Sequence, residues 1–366
     1  MFRKQILIRA AFVLVGALSV GSLAACGSNS SPEEGAPAKV RFGVPTNLGI
    51  NHTPLGAAIG LGYFEEEGLD VELVITGEEG IQGVATGQID IGTFTPDRIY
   101  QVIEQGGPQS DLVMVYNYLR GPTASIAVLD ESPIRELEDF AGATFGASDV
   151  ASANLLISDA IVGTVGLKYP EDIGHLGVGI GPAALQALVG GEVDALSLWD
   201  TEYAAIEAQG IKLRYFSVPE QEALFSTTAF TTTEYKEQNP EIIEAFGRAV
   251  ARATLFTITN PEAALGVMYE TFPELRQAGV SEEEQLEVDL IALNARLKLL
   301  ELEDGMQWGE YNPDNVEMWM EFGADNGIIP AAIEDWESTF TNEFVDAYND
   351  FDPGVVEKQA QTAGAE

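Results

Sequence analysis

Between Val40 and Thr76 the chain spells out strand, helix and strand in immediate succession. Val40 to Pro45 is strand-like. Thr53 and Pro54 then open a helix, the hydroxyl as a cap and the proline at the first helical position, and Leu55, Ala58, Ile59 and Tyr63 recur at helical spacing. Gly68 supplies a left-handed residue that stops the helix, and Leu69, Val71, Leu73 and Ile75 alternate as a strand. Such a β-α-β unit brings a helix N-terminus and strand ends to one rim of a sheet, where α/β proteins bind ligands.

A second series of the same kind follows. Ala143 to Ala147 reads as a strand, Ala151 to Val165 as a helix, and Val178 to Ile180 as a short strand. The two series also echo each other in detail. An apolar helix, then Gly-x-Ile/Val-Asp, a small apolar strand and a polar or aromatic loop occur once over Val84 to Thr95 and again over Leu188 to Asp200. Two similar α/β lobes facing each other are the architecture of a ligand clamp. Leu213 to Val218 and Ser226 to Thr233 are the strands that can return the chain to the first lobe. Asn239-Pro240, Asn260-Pro261, the capping box of Ser281 with Glu284, and Asn312-Pro313 then open successive helices. The expected boundaries are a first lobe from 39–118 and 231–350, a second from 119–230, and a disordered tail over 351–366.

The N-terminus is a secretory signal. Arg3, Lys4 and Arg9 precede an apolar run from Ala10 to Val20, and Leu23-Ala24-Ala25-Cys26 reads as a bacterial lipobox, so residues 1–25 are expected to be removed. Cys26 is the only cysteine in the chain, which excludes an internal disulfide and leaves lipidation as its simplest role. The following stretch to Ala38, rich in Ser, Gly, Pro and Glu, is a tether. Loss of the signal leaves 15 basic against 58 acidic side chains, about −43 in all. A chain so acidic repels phosphate backbones and is not expected to bind nucleic acid.

The stretch Pro54 to Val74, in which a small-residue helix leads through Gly-Tyr-Phe and acidic residues to Gly-Leu-Asp-Val, resembles the signature of a known family. That family comprises the ligand-binding components of ABC importers for nitrate, sulfonates, taurine and thiamine pyrimidine precursors. The resemblance extends over roughly Val40 to Tyr348 and includes the Asn239-Pro240-Glu241 helix start after the return strand. It implies a two-lobed, periplasmic-binding-protein-like α/β fold of type II with the ligand cleft between the lobes. It further implies an extracytoplasmic, monomeric solute binder, held to the membrane through Cys26, that hands its ligand to an ABC permease.

Two histidines, His52 and His175, and no Cys/His cluster argue against a metal site, and no cofactor is expected. Gly179 to Ala184 superficially matches a dinucleotide fingerprint but is better read as a tight strand-to-helix turn. The candidate ligand contacts are loop residues at strand ends. In the first lobe these are Thr46, Asn47, Asn51, His52, Thr93, Phe94 and Thr95. In the second they are Ser148, Ser152, Trp199 and Asp200. Helix capping and turn chemistry compete with a ligand role for each of them.

Family members that bind thiamine pyrimidine precursors carry a Trp-x-Pro-Asn stretch close to Asn-His-Thr, and Asn51-His52-Thr53 looks similar. Here, however, Gly43 stands where that tryptophan would be, and Leu48, Gly49 and Ile50 intervene. Only Arg98 and Arg120 are expected near the cleft, so a heteroaromatic, pyrimidine-like ligand stacked on Trp199 is favoured. The alternatives are an organic or inorganic anion such as an alkanesulfonate, taurine or nitrate, and, in another class, a secreted enzyme on the same fold.

Overall fold

The computed structural model describes residues 36–106, 111–331 and 333–363. The signal sequence, Cys26 and most of the tether lie outside the described residues.

Among the described residues, ten strands form two five-stranded sheets. The first sheet takes β1 (Ala38–Val44), β2 (Leu69–Ile75), β3 (Ile91–Phe94) and β4 (Leu112–Asn117). The second takes β5 (Ala124–Leu129), β6 (Thr144–Ala147), β7 (Gly174–Gly177), β8 (Ala195–Trp199) and β9 (Leu213–Phe216). The chain then returns to the first sheet as β10 (Thr228–Thr232). The strand orders are β2-β1-β3-β10-β4 and β7-β6-β8-β5-β9. In each sheet three parallel strands are followed by one antiparallel strand inserted before the last, β10 in the first and β5 in the second. β9 is therefore an edge of the second sheet and not a return strand, and β10 is in the first sheet from Thr228.

The Gly-x-Ile/Val-Asp echo has a structural cause. Gly87 and Gly191 both take φ of 71°, turning the chain from helix to strand. Asp90 then accepts the backbone N–H of Arg41 at 2.7 Å, and Asp194 that of Thr144 at 2.8 Å. Each aspartate thus pins the third parallel strand of its lobe to the first.

The helices in chain order are α1 (Thr53–Gly60), α2 (Tyr63–Glu66), α3 (Gly80–Ala85), α4 (Pro96–Gln105), α5 (Ala153–Gly163), α6 (Pro182–Val189), α7 (Asp200–Glu207), α8 (Pro219–Glu222), α9 (Thr233–Gln238), α10 (Pro240–Thr259), α11 (Pro261–Thr271), α12 (Glu282–Leu297), α13 (Pro313–Asp325), α14 (Val345–Tyr348) and α15 (Pro353–Thr362). The single helix expected after Thr53 is broken into α1 and α2 by Gly62 at φ 75°. Thr53 is the first helical residue and no cap: its hydroxyl donates to Ile50 O at 2.7 Å inside a 3-10 turn over Ile50–His52. The small residues of α1 allow close packing on α11. A Cβ at Gly56 would stand 1.9 Å from Met268 Sδ. On the other side Phe42, Phe64 and Phe246 stack to join β1, α2 and α10, with centroid distances of 4.9 and 5.6 Å to Phe246.

Three C-terminal elements depart from the expected boundaries. α12 packs on α7 of the second lobe as well as on the 3-10 turn of the first, and on α13 Trp319 Nε1 donates to Phe225 O at 2.9 Å. The stretch expected to be disordered beyond Asp352 instead holds α15, capped by Asp352. Val356 and Ala360 are buried there and Tyr63 donates to Gln359 at 2.8 Å, so a short apolar stripe suffices to dock a helix whose polar face dominates its composition.

Candidate functional site

The lobes are joined where Leu119 and the Ser226-Thr227 pair run side by side, with Leu119 N–H donating to Thr227 O at 3.0 Å and Ser226 N–H to Leu119 O at 2.9 Å. Above these crossings lies a pocket of about 240 Å³, suited to one small organic molecule. The first lobe contributes Phe42, Val44, Thr46, Asn51, His52, Leu55, Thr93 and Thr95. The crossing segments contribute Tyr116, Tyr118 and Thr227, the second lobe Thr123, Asn154 and Trp199, and α12 Arg296.

The structure brings together six of the eleven residues expected from sequence: Thr46, Asn51, His52, Thr93, Thr95 and Trp199. The other five lie elsewhere. Phe94 is buried in the core beneath the sheet, and Asn47 is exposed on the loop. Ser148 Oγ donates to Asp149 at 3.4 Å, and Ser152 is the N-cap position of α5. Asp200 stands behind the wall, at the first position of α7, where its Oδ1 accepts Arg296 Nη2 at 2.6 Å.

The cations expected near the cleft do not line it. Arg98 reaches across to Ala151 O at 3.2 Å, and Arg120 donates to Gln307 O at 2.8 Å with its guanidinium over Trp308. The guanidinium that does line the pocket belongs to Arg296, about 200 residues beyond the last first-lobe loop and about 100 beyond Trp199. Its signal in the sequence is weak: on the buried face of α12 Arg296 sits beside Ala292, Leu293 and Leu297 but also shares that face with the polar Gln285 and Asp289. Tyr116 and Tyr118 lie within or just beyond β4, in a stretch from Leu112 to Leu119 whose sequence reads simply as a strand.

Burial lowers the His52 pKa to about 4, with the nearby Arg296 guanidinium adding to the shift, so the imidazole is neutral at ordinary pH. Its Nδ1 accepts the Gly49 N–H at 3.2 Å, which places the remaining proton on Nε2 and makes that nitrogen a donor. Burial likewise raises the Tyr116 and Tyr118 phenol pKa values, keeping both protonated, and the Tyr118 hydroxyl has no protein partner among the described residues. Asp200, whose pKa burial raises against the pull of Arg296, neutralises that guanidinium. The wall therefore offers aromatic faces and neutral donors with no net positive charge. The Gly181 N–H, where a fingerprint loop would meet phosphate, donates to Glu202 at 2.9 Å.

Residues 49–264 match the model of a family described as NMT1/THI5 like. The formylaminopyrimidine-binding protein of Halalkalibacterium halodurans is 28% identical over 74% of this chain and 82% of its own length. The 4-amino-5-hydroxymethyl-2-methylpyrimidine phosphate synthase of Legionella pneumophila is 24% identical over 62% of this chain and 71% of its own. Among solved structures, the periplasmic aliphatic sulphonate binding protein SsuA of Escherichia coli superposes with a TM-score of 0.62 at 18% identity, covering 84% of this chain and 92% of that one.

Proposed function

The chain belongs to the NMT1/THI5-like family, and on that premise we propose that it is the extracytoplasmic solute-binding component of an ABC importer that captures a neutral heteroaromatic, pyrimidine-like molecule. The observation that carries the ligand class is the pocket wall: Phe42, Tyr116, Tyr118 and Trp199 supply faces for a planar ring, and the lining guanidinium of Arg296 is already neutralised by Asp200. Neutral His52 and the Tyr118 hydroxyl are donors for ring nitrogens or carbonyls. A formylaminopyrimidine binder among the relatives supports this class, and a sulphonate binder among the structural neighbours keeps the anion as the alternative. The synthase among the relatives belongs to the enzyme reading. The binding reading is supported by the commitment of His52 Nδ1 to a backbone N–H, which leaves it no acceptor nitrogen with which to act as a base.

Calorimetric titration with a panel of aminopyrimidines, alkanesulfonates and nitrate tests the ligand class. Heat of binding from an aminopyrimidine is the expected result. Tight binding of an alkanesulfonate or nitrate, with no response to any heteroaromatic, is the contrary one.

Delivery to a permease and attachment to the membrane complete the proposal. Cys26 follows Leu23-Ala24-Ala25 and precedes a polar tether of about a dozen residues, which lets a monomeric body held by lipid on Cys26 reach its permease. Cys26→Ser is expected to move the protein from the membrane to the soluble fraction. Unchanged membrane association of that variant in a fractionation blot would rule out the lipid anchor.

A further inference from the structure

Behind the main pocket, sharing Thr95, Thr123 and Asn154 with it, lies a second cavity of about 40 Å³ at the junction of the lobes. It is roomy enough for one small polar group or a water. Asp97 at the start of α4 and Gln221 on α8 line it, and both are nearly inaccessible, at 3% and 1% exposure. Asp97 Oδ2 and Gln221 Oε1 are buried without a hydrogen-bond partner among the described residues. The orientation of the glutamine is fixed, because its Nε2 donates to Ala124 O at 3.0 Å and so leaves Oε1 as the free atom. The indole N–H of Trp319, also on the wall, is committed to Phe225 O. The nearest cation, Arg98, holds its Nε 3.7 Å from Asp97 Oδ2, beyond hydrogen-bond reach. Asp97 Oδ2 and Gln221 Oε1 are acceptors; the Thr95 hydroxyl, also buried without a partner on this wall, has one proton and can serve at most one of them, and burial raises the carboxyl's pKa against the pull of Thr95 and Arg98. Burying such acceptors unpaired is costly, and a charge-assisted hydrogen bond from an N–H donor is what offsets it.

We propose that this cavity seats an amino or ammonium substituent of the ligand, with Asp97 and Gln221 accepting its N–H groups while the rest of the molecule occupies the main pocket. The inference rests on the main pocket being the ligand site but not on the ligand's class. A ring bearing an exocyclic amine and an aliphatic amine bearing an acid would both place nitrogen there. The Asn51 and Asn154 amides on the main pocket's wall are only partly buried, so the fully buried acceptors of the cavity are what select for amine-bearing members within whichever class binds.

Two matched pairs separate the possibilities by calorimetric titration of the purified protein: 4-amino-2-methylpyrimidine with 2-methylpyrimidine, and taurine with ethanesulfonate. In the pair that binds, the amine-bearing member is expected to bind roughly 10- to 100-fold more tightly. Asp97→Asn is expected to reduce that ratio to near unity while leaving the amine-free member unchanged. A merely structural Asp97 would instead lower the melting temperature of the variant and leave the ratio intact. Preference for taurine over ethanesulfonate with no pyrimidine binding would retain the cavity's role and overturn the heteroaromatic reading. Pyrimidine binding without amine preference would do the reverse, and no binding of any of the four would overturn both.

Discussion

Replacing Arg296 by methionine is expected to destabilise the folded protein by about 3–5 kcal/mol at pH 8, the cost of leaving a buried carboxylate without its counter-charge. Arg296 is 4% exposed, and its guanidinium lies 2.6 Å from Asp200 Oδ1. Asp200 Oδ2 lacks a partner among the described residues, and beyond Arg296 the carboxylate is helped only by the backbone N–H groups at the start of α7, so Arg296 carries most of its compensation. The effect carries a pH signature. Burial raises the folded-state pKa of Asp200 above its ordinary value. A carboxyl raised in this way contributes stability that is full below its unfolded pKa and is lost as pH rises through the folded one. Removing Arg296 raises the folded pKa further, so the variant's deficit should be largest at pH 8 and shrink toward pH 5 as Asp200 protonates. Chemical denaturation at the two pH values measures this. The double variant Asp200→Leu/Arg296→Met should recover most of the loss, because two apolar groups replace the pair instead of one charge being orphaned. A pH-independent deficit, or a double variant as unstable as the single, would show that the pair is not what joins α12 to the second lobe.

The second large effect is on affinity. Trp199→Ala is expected to weaken ligand binding by about 2–4 kcal/mol, or roughly 30- to 1,000-fold, as befits a central aromatic anchor. Trp199 ends β8 and faces the pocket across from the first-lobe residues, and it is only partly buried in the second lobe's core. Its removal should therefore cost the unliganded protein little stability. Trp199→Phe should keep most of the affinity, since a planar face remains. Titration of the three proteins with one aminopyrimidine reads the series. Equal affinity for all three would remove Trp199 from the site.

Much of this architecture was legible because it is written in local patterns. The strands of the β-α-β opening, the repeated Gly-x-Ile/Val-Asp turns and the Ser281-Glu284 cap appear where periodicity and cap residues place them, whereas the opening helix is split at Gly62 and Thr53 heads it without capping it. The repeat was legible as a pattern but not as a mechanism, because the bonds of Asp90 to Arg41 and Asp194 to Thr144 span 49 and 50 residues. Part of the pocket was visible for a similar reason. Strand-end hydroxyls, the amide of Asn51 and His52 advertise themselves by position, whereas Tyr116, Tyr118 and Arg296 sit in segments whose periodicity reads as core. Which cation reaches the cleft was decided by how α12 packs across both lobes, and no local pattern specifies that. The docking of α15 went unread because two small apolar residues, Val356 and Ala360, carry it.

On the proposed function, the lobes enclose a neutral heteroaromatic molecule between Trp199 and the tyrosines Tyr116 and Tyr118. Native mass spectrometry of the protein purified without denaturation tests it most directly. The expected result is a bound species whose fragmentation identifies a nitrogen heteroaromatic, lost from the Trp199→Ala variant. An organosulfonate or an inorganic anion as the bound species, retained by that variant, would contradict it.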